Sequence, residues 1–180
     1  MPASSPETLP PIRVRTAGPG DLDRLVEILE EAARRMHAYG NAHGWPVPFP
    51  AAMIEGPLAQ GCTHLVARPD GTDVATVTLL WDDPKFWGPQ PPVAGYIHRL
   101  AVRTAHAGAH YGQAILAWAD AEVRRRGRTI LRLDTASSND GLLAYYDALG
   151  FRRIGEVAHD PLRFPVTLFE RPVRPEGTTP

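Results

Sequence analysis

One stretch constrains the fold more than any other: residues 96–118, YIHRLAVRTAHAGAHYGQAILAW. It begins as an apolar strand, passes through a turn of small residues and continues with apolar residues at helical spacing. A strand feeding a glycine-containing turn and a helix start is a device for holding anions. The first N–H groups of a helix lack internal partners, and the helix dipole places partial positive charge there.

The rest of the chain arranges itself around that unit. At 180 residues, with 43% hydrophobic and 22% charged residues, it reads as one globular domain with an adequate core. A net charge of −1 gives no field that would draw it to nucleic acid or anionic membrane. Only Lys85 among 19 basic residues is a lysine, and this arginine excess points to a GC-rich coding genome. The single cysteine, Cys62, excludes an intrachain disulfide and a cysteine-based zinc site, and it is read as a small core residue. The start of the chain has no signal-peptide pattern and no run is long enough to span a bilayer, so the expected location is cytoplasmic.

In order, residues 1–11 are expected to be disordered, 12–171 to form the domain and 172–180 to fray. A strand at 12–15 leads through Gly18-Pro19-Gly20 to Asp21, an expected N-cap. Leu22, Leu25, Val26, Leu29, Ala32, Ala33 and Met36 then follow at helical spacing. The prolines of 45–50 exclude helix there, and a short helix is expected near 51–58. Strands at 63–67 and 74–80, joined across Asp70-Gly71, read as a hairpin. Residues 81–92 read as a long loop. After the central strand and helix, whose end is marked by Arg124-Arg125-Arg126-Gly127, a strand is expected at 129–134. A helix capped by 137–139 follows and stops at Gly150, and two last strands are expected at 151–154 and 166–169. This order predicts an α/β (α+β) domain with a mixed, mostly antiparallel, six- to seven-stranded twisted sheet flanked by helices.

Three features together carry a resemblance: the strand-turn-helix from His98 to Gly112, the strand ending at Asp134, and Asn139 with Tyr146 and Gly150-Phe151 at the spacing Asn-x6-Tyr-x3-Gly-Phe. Residues 96–157 resemble the core of the GNAT acyltransferase superfamily, and the element order extends the likeness to about 12–171. The resemblance implies a bacterial N-acetyltransferase that moves an acetyl group from acetyl-CoA to a primary amine of a small molecule or peptide, without a metal. It implies that the backbone of Leu100, Ala101 and Val102 pairs with the pantetheine arm. It implies that Ala107, Gly108, Ala109, His110, Tyr111 and Gly112, with Asn139 and Tyr146, bind the cofactor. Tyr146 matches the general acid. His98 stands where many members carry a glutamate base, and neutral imidazole suits that task. Dimers are common on that fold, so a homodimer is the assembly it suggests.

The phosphate loop departs from the family pattern. Ala107 replaces a Gln or Arg, and His110 a glycine. Backbone N–H groups do most of the holding, and no proline interrupts 103–112, so binding should persist. If His110 takes positive φ there, the cost is about 1–2 kcal/mol. Acceptor contacts are expected from Trp45, Trp81, Asp82 and Trp87, in regions that also hold His37, Tyr39, His43, Asp83 and His159-Asp160. Aromatic rings beside carboxylates suit a cationic amine. A non-catalytic acyl-CoA-binding module on the same fold remains the alternative. A zinc hydrolase on His106 and His110 is disfavoured by Gly108 between them, and a Rossmann binder by the lack of Gly-x-Gly-x-x-Gly.

Overall fold

Seven strands form one sheet in the order β1-β2-β3-β4-β5-β7-β6, all antiparallel except the central β4–β5 pair. The computed structural model describes residues 8–41, 44–158 and 164–176. His43, His159, Asp160, the N-terminal segment to residue 7 and the tail after residue 176 lie outside them.

The strands are β1 (Arg13–Thr16), β2 (Thr63–Ala67), β3 (Asp73–Leu80), β4 (Ala94–Val102), β5 (Ile130–Ala136), β6 (Arg152–Ala158) and β7 (Pro165–Pro172). The helices are α1 (Leu22–Ala38), α2 (Ala52–Ala59), α3 (Pro84–Trp87), α4 (Tyr111–Arg125) and α5 (Asp140–Ala148). The expected element order stands, with two corrections. Residues 81–92 are not wholly loop, because Asp83-Pro84 starts the short α3. Asp21 does not cap α1 with its side chain. Its carboxylate instead accepts from the Gly18 amide at 2.9 Å and from Arg15, closing a 3-10 turn one step earlier.

Strand alternation sends neighbouring side chains to opposite layers. Leu65 joins Leu25, Ile28, Leu29, Phe49 and Ile54 under α1 and α2. Val66 joins Ile97, Ile115, Val123, Leu133, Leu143 and Phe169 under α4 and α5. Strand β3, covered on both faces, is buried from Val74 to Leu79. The arginines ending α4 are spent structurally: Arg126 stacks 4.2 Å from Trp81, Arg124 donates to the Arg174 carbonyl and Arg125 pairs with Glu122. Gly127 then takes the left-handed conformation (φ 70°) that ends the helix.

Candidate active site

The site begins with a defect in β4. Along β3–β4 the register steps from Thr76↔Ala101 to Thr78↔His98, so two residues of β4, Arg99 and Leu100, oppose Val77 alone. Arg99 sits at φ 50°, left-handed for a non-glycine residue. This is a β-bulge, which bends the strand that carries it. On the other side, parallel pairing with β5 stops at Ile97↔Leu133, although β4 runs on to Val102 and β5 to Ala136. The two strands part, and a cavity of about 840 Å³ opens between their C-terminal ends. Leu100 and Val102 line it, while the Ala101 methyl is buried in the α1 layer. The Val102 carbonyl also accepts from Arg35 at 3.1 Å.

At one end of the cavity lies the turn into α4. Residues 104–106 form a 3-10 turn, Gly108 takes φ 78°, and His110 takes φ 59°, the left-handed conformation whose cost was considered above. Ala107, Gly108, His110, Tyr111 and Gly112 face the cavity, and Ala109 does not. The amides of Ala107 and Ala109 close turns onto Thr104 and His106. Among the described residues, those of Gly108, Tyr111, Gly112 and Gln113 have no backbone acceptor outside the helix, as expected at a helix start. A side chain at Gly112 would stand 2.9 Å from the Tyr145 hydroxyl, so this glycine serves a close approach.

Deeper in, three elements bring together a cluster. His98 of β4 binds Asp83, just before α3, through Nε2 at 3.0 Å, and turns Nδ1 toward Asp134 of β5 at 3.6 Å. The second distance is too long for a hydrogen bond, and Asp134 Oδ1 is buried with no hydrogen-bond partner among the described residues. Burial disfavours the imidazolium, but the Asp83 hydrogen bond and the Asp134 charge outweigh it and raise the His98 pKa above its ordinary value. Burial likewise raises the Asp134 carboxyl, with His98 pulling the other way. The donor atoms of the three lie within 4.8 Å of one another, close enough to hold a metal. The imidazole lies between the two carboxylates with a nitrogen toward each, an arrangement that can equally hold a proton.

Tyr146, on α5, reaches the cavity from among Tyr145, Phe151 and Phe169. Burial pushes its phenol far above the ordinary value, helped by Tyr145 and Asp134. Asn139 also lines the cavity, and its side-chain oxygen caps α5 by accepting from Leu142 at 3.1 Å.

Of the four acceptor-site candidates, the structure places Trp45 on the cavity wall and the other three away from it. Trp81 packs beneath Arg126 and Arg128, and Trp87 against Tyr96 with Arg132 4.3 Å above its ring. Asp82 is exposed. Tyr39 lines the outer cavity, while the His37 ring is hydrogen-bonded at 2.7 Å to the Trp45 carbonyl. Sequence reasoning missed Arg99, Asp134, Tyr145 and Phe86 on the wall, and gave Asp83 no partner. Only Asp83 carried a local signal, standing before a proline at a helix start.

Comparisons with known proteins bear on the family and the fold. Residues 22–151 match the model of the acetyltransferase (GNAT) family. The chain is 28% identical over 110 residues to the uncharacterised N-acetyltransferase YesJ of Bacillus subtilis (strain 168), a match spanning 57% of this chain and 59% of that relative. A GNAT-family acetyltransferase of Listeria monocytogenes shares the fold at a TM-score of 0.73 and 20% identity, over 89% of this chain and 94% of its own. A spermidine N-acetyltransferase of Vibrio cholerae, solved with CoA and spermine, does so at 0.65 and 11%, over 90% and 95%. The putative acetyltransferase yncA of Salmonella typhimurium, solved with acetyl-CoA, does so at 0.60 and 16%, over 94% and 98%. No helix among the described residues is long and apolar enough to cross a membrane.

Proposed function

The chain belongs to the acetyltransferase (GNAT) family, and on that premise we propose that it moves an acetyl group from acetyl-CoA to a primary amine. In this reading His98 is the base and Tyr146 the acid. The observation that carries it is the parting of β4 from β5 after Ile97 and Leu133, which opens one cavity between helix-start amides and a proton-holding trio.

The residues present fit the cosubstrate. The amides of Gly108, Tyr111, Gly112 and Gln113, at the positive end of the α4 dipole, would hold its pyrophosphate. The free edge of β4 beyond Ile97 offers backbone groups to an extended arm, as when a strand is added to a sheet. The thioester supplies the acetyl group and a thiolate leaving group.

This chain's side chains move the protons. His98 takes one from the acceptor ammonium as the C–N bond forms, and Asp83 and Asp134 stabilise the resulting imidazolium. Tyr146 donates toward the sulfur as the C–S bond breaks. Its raised pKa keeps it protonated across the working range, and the desolvation responsible equally disfavours a bare thiolate. The raised His98 pKa makes it a stronger base but keeps it protonated at lower pH, so the rate should climb through a limb above the ordinary histidine value.

The test combines calorimetry of acetyl-CoA binding with CoA thiol release over an amine panel, in wild type and Tyr146→Phe. Amine-dependent release that collapses in the variant while binding persists is the expected result. Binding without amine-dependent release would make the domain a non-catalytic acyl-CoA-binding module instead.

A further inference from the structure

The bulge in β4 does more than open the cavity. Consecutive residues of a regular strand point to opposite faces, yet His98 and Arg99 both line the same cavity, because the left-handed turn at Arg99 brings its side chain round. Holding an arginine at φ 50° costs about 1–2 kcal/mol, and strain of this kind gathers at ligand sites.

The guanidinium so placed differs from those that pair with buried carboxylates. Arg132 pairs with Glu170, and the buried Arg171 with Asp120. Arg99 has no carboxylate in ion-pair contact among the described residues. One Nη donates to the Gly44 carbonyl at 3.0 Å, and the group lies over the Trp45 and Phe49 rings, 5.4 Å from each. That arrangement fixes its plane and leaves the rest of its donor fork to the cavity. Burial lowers its pKa, with only the more distant charge of Asp134 opposing. An arginine that remains charged, is largely desolvated and lacks a counter-ion is costly, and a carboxylate bound bidentately would relieve it.

Asp134 presents the complementary case: a carboxylate on the same cavity, one oxygen of which is buried without a hydrogen-bond partner among the described residues, within electrostatic reach of Arg99 but not paired with it. A carboxylate able to hold a cation and a fork able to hold an anion thus line one space, beside Trp45, Met53 and Phe86.

Building on the transferase reading above, we infer that the acceptor is an apolar α-amino acid. Its ammonium lies at Asp134 and His98, its carboxylate on Arg99, and its side chain against the aromatic wall. The ammonium gives its proton to His98, the amine attacks the thioester carbonyl, and the products are the N-acetylamino acid and the CoA thiol.

The experiment compares leucine, methionine and phenylalanine with their amides as acceptors, by CoA release, in wild type, Arg99→Gln and Arg99→Lys. A site built to pair a charged group rejects the analogue that lacks it. Each acid should therefore exceed its amide in kcat/KM by about 10-fold or more. Arg99→Gln should bring the ratio near one, and Arg99→Lys should fall between, since lysine keeps the charge but not the fork. Taking the ratio removes any general damage common to both acceptors. Amides that match their acids, or a ratio indifferent to residue 99, would overturn the inference while leaving the transferase standing. If no acceptor is turned over, calorimetry of the same pairs on the CoA-loaded protein decides. Acid binding that Arg99→Gln abolishes supports the inference and points the failure at the transfer step, whereas no preference for the acids overturns it.

Discussion

The Asp83–His98 bond can be tested without touching the wall of the cavity. Replacing Asp83 by Asn keeps the shape and an oxygen able to accept, but removes a buried negative charge 3.0 Å from the imidazole. Hydrogen bonds to charged groups contribute about 1.5–3 kcal/mol, and one pKa unit corresponds to about 1.4 kcal/mol. Complete loss would lower the His98 pKa by about 1–2 units. Two effects reduce that figure: the amide oxygen retains part of the bond, and removing Asp83 lets Asp134 ionise more readily, since Asp83 helps to raise it. The expected result is a kcat/KM–pH profile, read by thiol release between about pH 5 and 9, whose acidic limb moves down by about one unit. Stability supplies a second readout. A histidine whose folded pKa exceeds its unfolded value adds stability that is fully present below the unfolded pKa and lost as pH rises through the folded one. The difference in Tm between wild type and Asp83→Asn should therefore be largest near pH 6 and shrink toward pH 9. A limb that stays in place, or moves upward, would refute the assignment of His98 as a base governed by Asp83.

Other predictions are more direct. Tyr146→Phe should lower kcat by about 10²–10⁴ with little change in acetyl-CoA affinity, and no basic limb from this phenol should appear below pH 10, because its pKa is raised. Gly112→Ala forces a methyl group to 2.9 Å from the Tyr145 hydroxyl and should weaken acetyl-CoA binding about 10-fold in calorimetry. Adding Tyr145→Phe should restore part of that loss, since the next ring atom is 3.9 Å away. His110→Ala should be less stable than His110→Gly by about 1 kcal/mol in denaturant unfolding, because only glycine occupies φ 59° without strain. Arg171→Met leaves Asp120 buried without its two bonds of 2.8 and 2.9 Å, and should cost about 3–5 kcal/mol, a fall in Tm of roughly 6–20 °C.

What was legible in the sequence had local causes. The strand, turn and helix of 96–118 followed from apolar spacing and small residues. The cost of a left-handed His110 could be weighed from its place in the loop pattern, and Asn139 stood within the expected cap at 137–139. The trio was not legible, because Asp83, His98 and Asp134 come from three separate elements and meet only when β4 lies beside β5. The tryptophans misled for a related reason. Trp81, next to two aspartates, and Trp87 in the same segment looked like an amine-binding wall, but arginines far along the chain cover their rings, and Phe86 between them takes the place on the cavity. Asp134 was visible as the end of a strand, and nothing in its neighbours foretold that one oxygen would be buried and unpaired.

The bulge at Arg99 explains why one region holds both the cosubstrate edge and the acceptor groups. Without the extra residue, β4 would continue in regular register from Ile97, with no left-handed turn to bring the Arg99 side chain to the face that His98 occupies. The free backbone edge needed by an extended ligand would be lost wherever β5 stayed paired. The run His98-Arg99-Leu100-Ala101-Val102, two polar residues followed by three apolar ones, does not alternate, but it holds no glycine or proline to mark where the extra residue of the bulge sits. Its cause is tertiary: Ala101 is fixed beneath α1 while Ile97 is fixed beneath α4, and the segment between them must span two cores in one strand. The strained φ at Arg99 is held by packing on both sides and by the Gly44 carbonyl and two aromatic rings around the guanidinium. Shortening the segment by deleting Leu100 should therefore close the cleft and abolish acetyl-CoA binding in calorimetry while the folded core survives in near-ultraviolet circular dichroism. Retained binding in that variant would show that the bulge does not make the site.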